Sequence, residues 1–258
     1  MFQAQRIETL KNILLEKKSV DVSTLTSALD VSDVTVRKYL DILEAEGFLK
    51  KMHGGAILAE AYDDQDNFDD EETILEFQAK EQIAELAITC IEDGDSIFLG
   101  PGTTCYLLSK KLGSYKNITV VTNNVNALEH IAPVVRTLYF IGGEIVCRDG
   151  LMYSYGQKAI NQLEGIFVQK AFISVAGVDL FAGLTINDIR QVEIFHKVES
   201  ISRQQIVLAD HNKFNKIGLH HIMPIDKIKI YISNEKLDSE YKKYFYENDI
   251  KILTSYDI

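Results

Sequence analysis

Glycine, threonine and asparagine residues follow several apolar, β-branched runs of this 258-residue sequence. They include Gly102, Thr103, Thr104, Thr122, Asn123, Asn124, Gly142 and Gly143. Small residues let backbone N–H groups approach an anion, and hydroxyl and amide groups supply further hydrogen-bond donors. Because the loops after parallel strands meet at one edge of a sheet, we expect these residues to bind a phosphate together. The same residue types also serve as plain turns and helix caps, and it is their recurrence after successive runs that favours a ligand site.

Three charged residues are candidates to complete such a site. Lys213 lies just past the apolar run 206–208 and would pair with a phosphate as a point charge. Asp179 and Glu193 would accept hydrogen bonds from the hydroxyls of a ligand, although ordinary surface ion pairing accounts for both equally well.

Other site chemistries find less support in the sequence. The spacing Gly100-x-Gly102-x-x-Cys105 comes near the dinucleotide-binding fingerprint, but its third small residue is a cysteine. The next apolar run also ends at Thr122 and Asn123 instead of the acidic residue that would hold a ribose. The six histidines and three cysteines have no metal-ligand spacing, and no Gly-x-Ser-x-Gly or Cys/His arrangement indicates acyl transfer. We therefore expect no cofactor, no metal and no catalytic residues.

The apolar runs that precede the candidate loops have the character of strands buried on both faces. They lie at 96–99, 118–121, 138–141, 171–175, 206–208, 228–232 and 250–253. Helices are predicted between most of them, at 80–92, 103–112, 124–131, 157–163, 188–202 and 238–246. Buried strands that alternate with helices indicate an α/β fold with a mostly parallel sheet.

The N-terminal part of the chain has a different pattern. Apolar residues at helical spacing predict a first helix over 3–17, and Ser23 and Ser32 are placed to cap two shorter helices. Gly47 is a natural stop for the third helix, and a basic hairpin is predicted to follow it over 48–58. Two short helices joined by a tight turn and followed by a hairpin predict a winged helix-turn-helix.

Acidic residues crowd the stretch between these two patterns, which has few apolar residues and is typical of a solvated linker. We therefore divide the chain into a winged helix-turn-helix domain at 1–57, an acidic linker at 58–78 and an α/β domain at 79–258.

The net charge of −11 belongs to only one part of the chain. Of the 27 basic and 38 acidic residues, residues 1–56 hold eight of each, which leaves 19 basic and 30 acidic residues for the rest. A neutral head beside an acidic body suggests two modules with different partners. No apolar run approaches the roughly 20 residues of a membrane span, and the first residues lack the apolar stretch of a signal peptide, so we expect a cytoplasmic protein with no membrane partner.

These residues resemble the DeoR family of bacterial sugar-metabolism repressors over nearly the whole chain. In the head, the segment 31–40 is similar to the family's recognition helix, and Lys51-Met52-His53-Gly54-Gly55-Ala56 is similar to its wing signature. The body adds Gly102-Thr103-Thr104, Thr122-Asn123-Asn124, Gly142-Gly143, Gly177-Val178-Asp179, Gly183-Leu184-Thr185 and Ala209-Asp210-His211-Asn212-Lys213-Phe214.

The resemblance implies a body like the ribose-phosphate isomerase fold that senses a phosphorylated sugar and holds the protein together as an oligomer. It implies a sequence-specific repressor of a carbohydrate-metabolism operon, whose operator binding changes when the effector binds. A single neutral head would bind DNA weakly, which also favours a homo-oligomer, either a dimer or a tetramer.

The resemblance also suggests how the head meets DNA. Helix 33–45 would enter the major groove with Asp33, Thr35 and Arg37 near base edges and Lys38 on a phosphate, while the wing approaches the backbone or the minor groove. The residues predicted to contact DNA are Ser32, Asp33, Thr35, Arg37, Lys38, Lys50, Lys51 and His53.

Three departures from the family pattern bear on these expectations. The family usually has Arg-Arg-Asp where this chain has Arg37-Lys38-Tyr39. An aspartate is expected at Gly100, and a basic residue is expected at Phe195, two positions after Glu193.

Two alternatives to a repressor stay open at this point. One is a sugar-phosphate isomerase with an appended DNA-binding head, which would use Asp179 and Glu193 for acid–base work. The other is a transcriptional activator. We expect the protein not to be an enzyme.

Overall fold

The computed structural model describes residues 3–17, 19–52, 55–58, 71–148, 150–234 and 237–254. The chain divides into two compact units, Met1–Leu75 and Glu76–Ile258. The boundary falls inside helix α4 (Glu71–Ile88), so the helix predicted at 80–92 begins nine residues earlier and includes 71–78 of the predicted linker. Residues 59–70 of that linker lie outside the described residues, and the predicted domain boundaries stay predictions.

The first unit is a helix-turn-helix with a wing, as predicted. Its elements are α1 (Gln3–Lys17), β1 (Ser19–Asp21), α2 (Val22–Leu29), α3 (Asp33–Ala45), β2 (Leu49–Met52) and β3 (Gly55–Leu58). The strands form an antiparallel sheet in the order β1-β3-β2. Apolar residues at helical spacing on α1, α2 and α3, including Leu10, Leu25 and Leu40, form its buried core.

Tight backbone turns set the geometry of α2 and α3. Asp30 adopts the left-handed conformation at φ 50°, which lets the chain reverse within two residues before α3 begins. Gly47 has φ 72° just after α3, and this confirms the predicted stop.

The cap of α2 differs from the prediction. Asp21 is the N-cap, and its Oδ1 accepts a hydrogen bond from the Thr24 backbone N–H at 2.6 Å. Ser23, the predicted cap, donates its hydroxyl to the Asp21 carboxylate instead. That hydrogen bond is the main reason why the pKa of Asp21 falls to about 2, because it stabilises the charged form. The helix begins two residues earlier than predicted because the carboxylate can serve several donors at once.

The second unit contains a seven-stranded parallel sheet in the order β15-β14-β12-β9-β4-β5-β6. Its strands are β4 (Ser96–Leu99), β5 (Thr119–Thr122), β6 (Thr137–Phe140), β9 (Val168–Ser174), β12 (Ser202–Leu208), β14 (Ile230–Ser233) and β15 (Lys251–Thr254). Each corresponds to a predicted run, so the mostly parallel α/β sheet is confirmed.

Helices flank this sheet in the alternating pattern that was predicted. They are α5 (Thr103–Ser109), α6 (Leu128–Ile131), α7 (Gln157–Gln162), α8 (Val192–Ile201) and α9 (Ser239–Glu247). The core between the layers includes the buried rings of Phe98, Phe172, Tyr231 and Phe245. Within the described part of the chain, no helix combines the length and apolar character that a bilayer crossing requires.

Two antiparallel pieces were not predicted. One is the hairpin β7 (Glu144–Arg148) and β8 (Leu151–Tyr155), and the other is a small sheet of β10 (Gly177–Asp179), β11 (Gly183–Ile186) and β13 (His220–Met223). The hairpin also shortens the helix predicted at 124–131, which forms only over Leu128–Ile131. The backbone before it pairs with β8 instead, through a hydrogen bond from Val125 N–H to the Met152 carbonyl at 2.9 Å.

The cap at Asp21 gives a stability prediction. Asp21→Ala leaves the Thr24 N–H without its acceptor and should destabilise α2 by about 1 kcal/mol. Amide hydrogen exchange over 22–29 should therefore become faster. Ser32→Ala is the matched control, because Ser32 is the N-cap of α3 but makes no side-chain hydrogen bond to a backbone N–H there. Equal effects of the two substitutions on their helices would contradict this account.

Candidate functional site

A cavity of about 290 Å³ opens in the second unit where several strands end. The loops after β4 and β9 and the end of β11 contribute to its wall, so it lies at the carboxyl edge of the sheet, as expected for a parallel α/β fold. Four of the eleven predicted effector residues are among its described lining residues: Gly102, Thr103, Thr104 and Lys213.

The first wall is the loop from β4 into α5. Gly102 has φ 109°, and a Cβ atom there would lie 3.1 Å from the Ser174 Cβ, so the position requires glycine for conformation and for space. This close approach brings the backbone next to Ser174, which also lines the cavity. Thr103 and Thr104 follow in the chain and also line the cavity.

Two lysines supply positive charge to the second wall. Lys213 ends a 3₁₀ turn, His211–Lys213, that begins where the Asp210 Oδ1 accepts the Asn212 N–H at 3.0 Å. Lys80 reaches the cavity from α4, and its Nζ lies 3.2 Å from Glu76 Oε2. Sequence reasoning missed Lys80 because it precedes every strand of the sheet and belongs to no strand-end loop.

The third wall carries a hydrogen-bonded cluster around the Asp188 carboxylate, which was also missed. The Tyr153 hydroxyl donates to Asp188 Oδ2 at 2.5 Å, and the Arg190 Nε binds the two carboxylate oxygens of Asp188 at 2.8 and 3.0 Å. The Arg190 guanidinium also lies 4.9 Å from the centre of the Tyr155 ring. Tyr153 and Asp188 line the cavity, and neither follows a strand of the parallel sheet.

These contacts fix the protonation states of the cluster. Hydrogen bonds from Arg190 are the main reason why the pKa of Asp188 lies well below its ordinary value. Burial raises the pKa of Tyr153 to about 12, and its bond to the Asp188 carboxylate adds to the increase. At neutral pH the wall therefore presents a carboxylate and a phenol that keeps its proton.

Thr122, Asn123 and Asn124 are fully buried and lie outside the described lining of the cavity. Thr122 Oγ1 donates to the Leu99 carbonyl at 2.7 Å, and Asn124 Nδ2 donates to the Gly100 carbonyl at 3.2 Å. Asn123 Nδ2 donates to the Ser154 carbonyl at 3.0 Å. These side chains hold the walls of the cavity in place and do not reach its interior.

The remaining predicted effector residues also lie outside the described lining. Gly143 serves a close backbone approach, since a Cβ there would lie 2.4 Å from the Tyr155 carbonyl oxygen. The backbone N–H and carbonyl of Gly142 bond the Gln162 side-chain amide. Asp179 Oδ1 accepts the N–H groups of Phe181 and Ala182 and so closes the turn between β10 and β11. Glu193 is exposed on α8. The structure does not bring these four residues to the cavity.

One departure from the family pattern has a packing explanation here. Phe195 lies on the inner face of α8, is 4% exposed and belongs to the main apolar core. A charged side chain at this place would lose its hydration, so the position serves stability in this chain.

The outer face of α3 is the candidate nucleic-acid interface. Ser32, Asp33, Arg37 and Lys38 are exposed there, and Thr35 is half-buried. Arg37 Nε lies 3.1 Å from Asp33 Oδ1, which holds the guanidinium along the helix. Ser32 Oγ and Thr35 Oγ1 are 3.0 Å apart and share a hydrogen bond.

Two further residues of α3 refine this interface. Val34 was missed, yet it is 78% exposed on the same face, and an apolar side chain in the major groove suits a thymine methyl group. Tyr39, which stands where the family has aspartate, is 5% exposed and packs in the core of the first unit. The departure at Tyr39 therefore changes the interior of the head more than its outer face.

The wing residues differ in their surroundings. Lys50 is exposed. Lys51 forms ion pairs with Asp41 and Glu44 of α3, and the hydrogen bond to Asp41 is the main reason why the pKa of Lys51 is raised. The Lys51 ammonium thus ties the wing to α3. His53 lies outside the described residues.

Comparison with known proteins finds matches to both parts of the chain. The family model of the DeoR-like helix-turn-helix domain matches residues 6–61, and that of the DeoR C terminal sensor domain matches residues 76–235. The chain is 29% identical to the HTH-type transcriptional regulator IolR of Bacillus subtilis (strain 168), over 96% of this chain and 97% of that protein. It is 31% identical to the lactose phosphotransferase system repressor of Staphylococcus epidermidis (strain ATCC 12228 / FDA PCI 1200), over 84% and 86% of the two chains.

A solved structure of ribose 5-phosphate isomerase A from Methanocaldococcus jannaschii is also similar. It aligns with 52% of this chain and 53% of its own, at 18% sequence identity and a TM-score of 0.38.

The buried asparagine below the cavity gives the next prediction. Asn124→Ala leaves the carbonyl of Gly100 and the N–H of Ala127 without their partners in a closed interior and should lower the free energy of unfolding by about 2 kcal/mol. Urea unfolding followed by far-ultraviolet circular dichroism measures the change. Asn126→Ala is the matched control, because Asn126 makes similar backbone contacts at a partly exposed position where water can replace it. A loss for Asn126→Ala as large as that for Asn124→Ala would contradict the assigned role.

Proposed function

The chain belongs to the DeoR family, and we propose that it is a sequence-specific DNA-binding repressor of a carbohydrate-metabolism operon that responds to a phosphorylated sugar. One observation carries the proposal: a helix-turn-helix head with an exposed recognition face is joined in one chain to a cavity that holds two lysines. DNA and a small anion are the partners that these two features suit.

The head would bind its operator through α3. Arg37 is exposed and held by Asp33, which suits a contact with a base edge in the major groove. Lys38 is exposed on the same helix and would neutralise a phosphate. Asp33 and Thr35 would lie near base edges beside Arg37. Ser32, Lys50 and the wing would complete the contact with the backbone.

The cavity would bind the effector in one orientation. Lys80 and Lys213, with the hydroxyls of Thr103 and Thr104, would hold the phosphate. The Asp188 carboxylate and the Tyr153 hydroxyl would then face the sugar hydroxyls. A volume of about 290 Å³ is at the lower end of the range for small-molecule sites, which fits a monosaccharide phosphate.

The residues of the cavity support catalysis less well than they support effector binding. Asp179 and Glu193, which were the candidate acid and base, lie outside its described lining. Asp188 is the carboxylate that does line it, but the hydrogen bonds of Arg190 and Tyr153 hold its pKa far below neutral, so it is a poor general base. The relatives named above are transcriptional regulators, which also favours regulation.

The assembly and place of action follow from the DNA-binding role. Because the head is neutral, we infer that two or more heads bind an operator together in a homo-oligomer, either a dimer or a tetramer. A repressor acts where the chromosome lies, so we place the protein in the cytoplasm.

The DNA contact is tested at Lys38. Lys38→Ala should weaken binding to every duplex and should reduce the slope of log affinity against log salt concentration by about one. Fluorescence anisotropy at several salt concentrations measures both quantities, on duplexes selected from a random pool by the full-length protein. Lys17→Ala removes the same charge from the end of α1 and should change neither quantity appreciably. An unchanged salt slope in Lys38→Ala would refute the placement of this residue on a phosphate.

The effector site is tested at Lys213. Pentose and hexose phosphates are titrated into the protein–DNA complex, and the effector should shift operator affinity by about 5- to 150-fold. Lys213→Ala should raise the effector concentration needed for half of this shift by at least about tenfold, since one of two cations is lost. Lys216→Ala, at a nearby exposed position, is the control. A panel that leaves operator affinity unchanged would rule out the sensor.

A further inference from the structure

Glu76 contacts one cavity lysine, Lys80, and the neighbour of the other, Asn212, and it is not among the described lining residues of the cavity. Its Oε2 lies 3.2 Å from Lys80 Nζ, and its Oε1 accepts a hydrogen bond from Asn212 Nδ2 at 3.3 Å. Asn212 is the residue next to Lys213 in the 3₁₀ turn. The carboxylate therefore contacts Lys80 and the turn that carries Lys213, and it lies outside the described lining of the cavity.

The charge state of Glu76 follows from these neighbours. Burial alone would raise its pKa, but the charge and hydrogen bond of Lys80 and the charge of Lys213 outweigh burial and lower the pKa. Glu76 is therefore ionised at neutral pH. Two positive charges at the cavity share one internal negative charge, which leaves a single net positive charge for a ligand.

We propose that Glu76 is an internal competitor of the effector, holding Lys80 until a phosphate takes over that ammonium group. The inference rests on the proposed effector site. The Lys80 side chain is only 17% exposed, so water has limited access to it. A phosphate that approaches the Lys80 ammonium group is also repelled by the nearby Glu76 carboxylate. Under the proposal, the repulsion between the two anions weakens the contact between Glu76 and Lys80 when a phosphate binds.

This competition sets which ligands the site accepts. Lys80 attracts a singly charged anion no more strongly than it attracts the Glu76 carboxylate. Such an anion therefore has little advantage in the competition for Lys80. A phosphate dianion brings twice the charge and reaches Lys213 as well. The site thereby favours phosphorylated sugars over sugar acids.

Glu76 also lies at the boundary of the two units in the sequence. Glu76 is the first residue of the second unit and lies on α4, which begins at Glu71. Its hydrogen bond to Asn212 fastens this part of α4 to the turn that carries Lys213. A phosphate on the two lysines thus changes the contacts of the helix in which the unit boundary falls.

The test is calorimetric titration of the full-length protein with inorganic phosphate at pH 8, where the dianion predominates. Glu76→Gln keeps the shape of the side chain and removes its charge, and it should bind phosphate about tenfold more tightly than the unchanged protein. The matched control is Glu85→Gln, which removes a charge from the same helix and also breaks an ion pair, with Lys111 at 3.4 Å. It should alter phosphate affinity by less than about twofold.

A second pair of variants isolates the route through Lys80. In the Lys80→Met background, where the contested ammonium group is absent, Glu76→Gln should tighten phosphate binding much less than it does in the unchanged protein. A residue that only supports the fold would not produce tighter binding, so the gain of affinity distinguishes competition from a structural role.

The outcomes separate this inference from the proposed function. If the unchanged protein binds phosphate but Glu76→Gln binds it equally or more weakly, Glu76 positions Lys80 and the competition is disproved. Equal gains in Glu76→Gln and Glu85→Gln would trace the effect to overall charge and would disprove it too. Absence of phosphate binding in every variant would remove the effector site, and the competition with it.

Discussion

Asn124 is 1% exposed, and its side-chain amide must find every partner inside the protein. It bonds the Gly100 carbonyl in the loop after β4 and the N–H of Ala127 ahead of α6, while its neighbour Asn123 bonds the Ser154 carbonyl in β8. Three separate segments are therefore fixed to one buried strand end. The cavity depends on this arrangement, because Gly102 to Thr104 and Tyr153 take their positions from the segments that it joins.

A second constraint is the balance of charge around the cavity. Asp188 is neutralised by Arg190, and Glu76 is matched by Lys80, so Lys213 supplies most of the excess positive charge at the site. Each carboxylate is held by a named cation and keeps its charge at neutral pH. Under the proposal, such a site would recognise an anion by exchange of partners, without a proton transfer, which suits reversible sensing better than acid–base catalysis.

The parallel sheet and the head could be predicted because their signals are local. Buried β-branched runs and helical apolar spacing extend over three to fifteen residues. Gly47, being a glycine, indicates a left-handed backbone conformation without any information from distant residues. The lining of the cavity could not be predicted in the same way. Lys80 and Asp188 reach it from α4 and from the segment after β11, so their roles depend on tertiary packing. Thr122 and Asn124 were predicted at the correct edge of the sheet, but a buried amide and a ligand-binding amide have the same sequence signature.

The ion pairs of the head explain how a domain with no net charge can bind DNA. Arg37 and Lys51 are both paired with carboxylates of α3, through Asp33 and through Asp41 and Glu44. Exposed pairs of this kind contribute at most about 1 kcal/mol, so a DNA phosphate or base edge can replace the partner of Arg37 at small cost. The same pairing lowers the number of counterions that one head releases from DNA, which limits the affinity of a single head. In the proposed homo-oligomer, several heads would bind one operator together. Any effector-driven change in how the heads are held would then have a large effect on affinity, because their contributions act together.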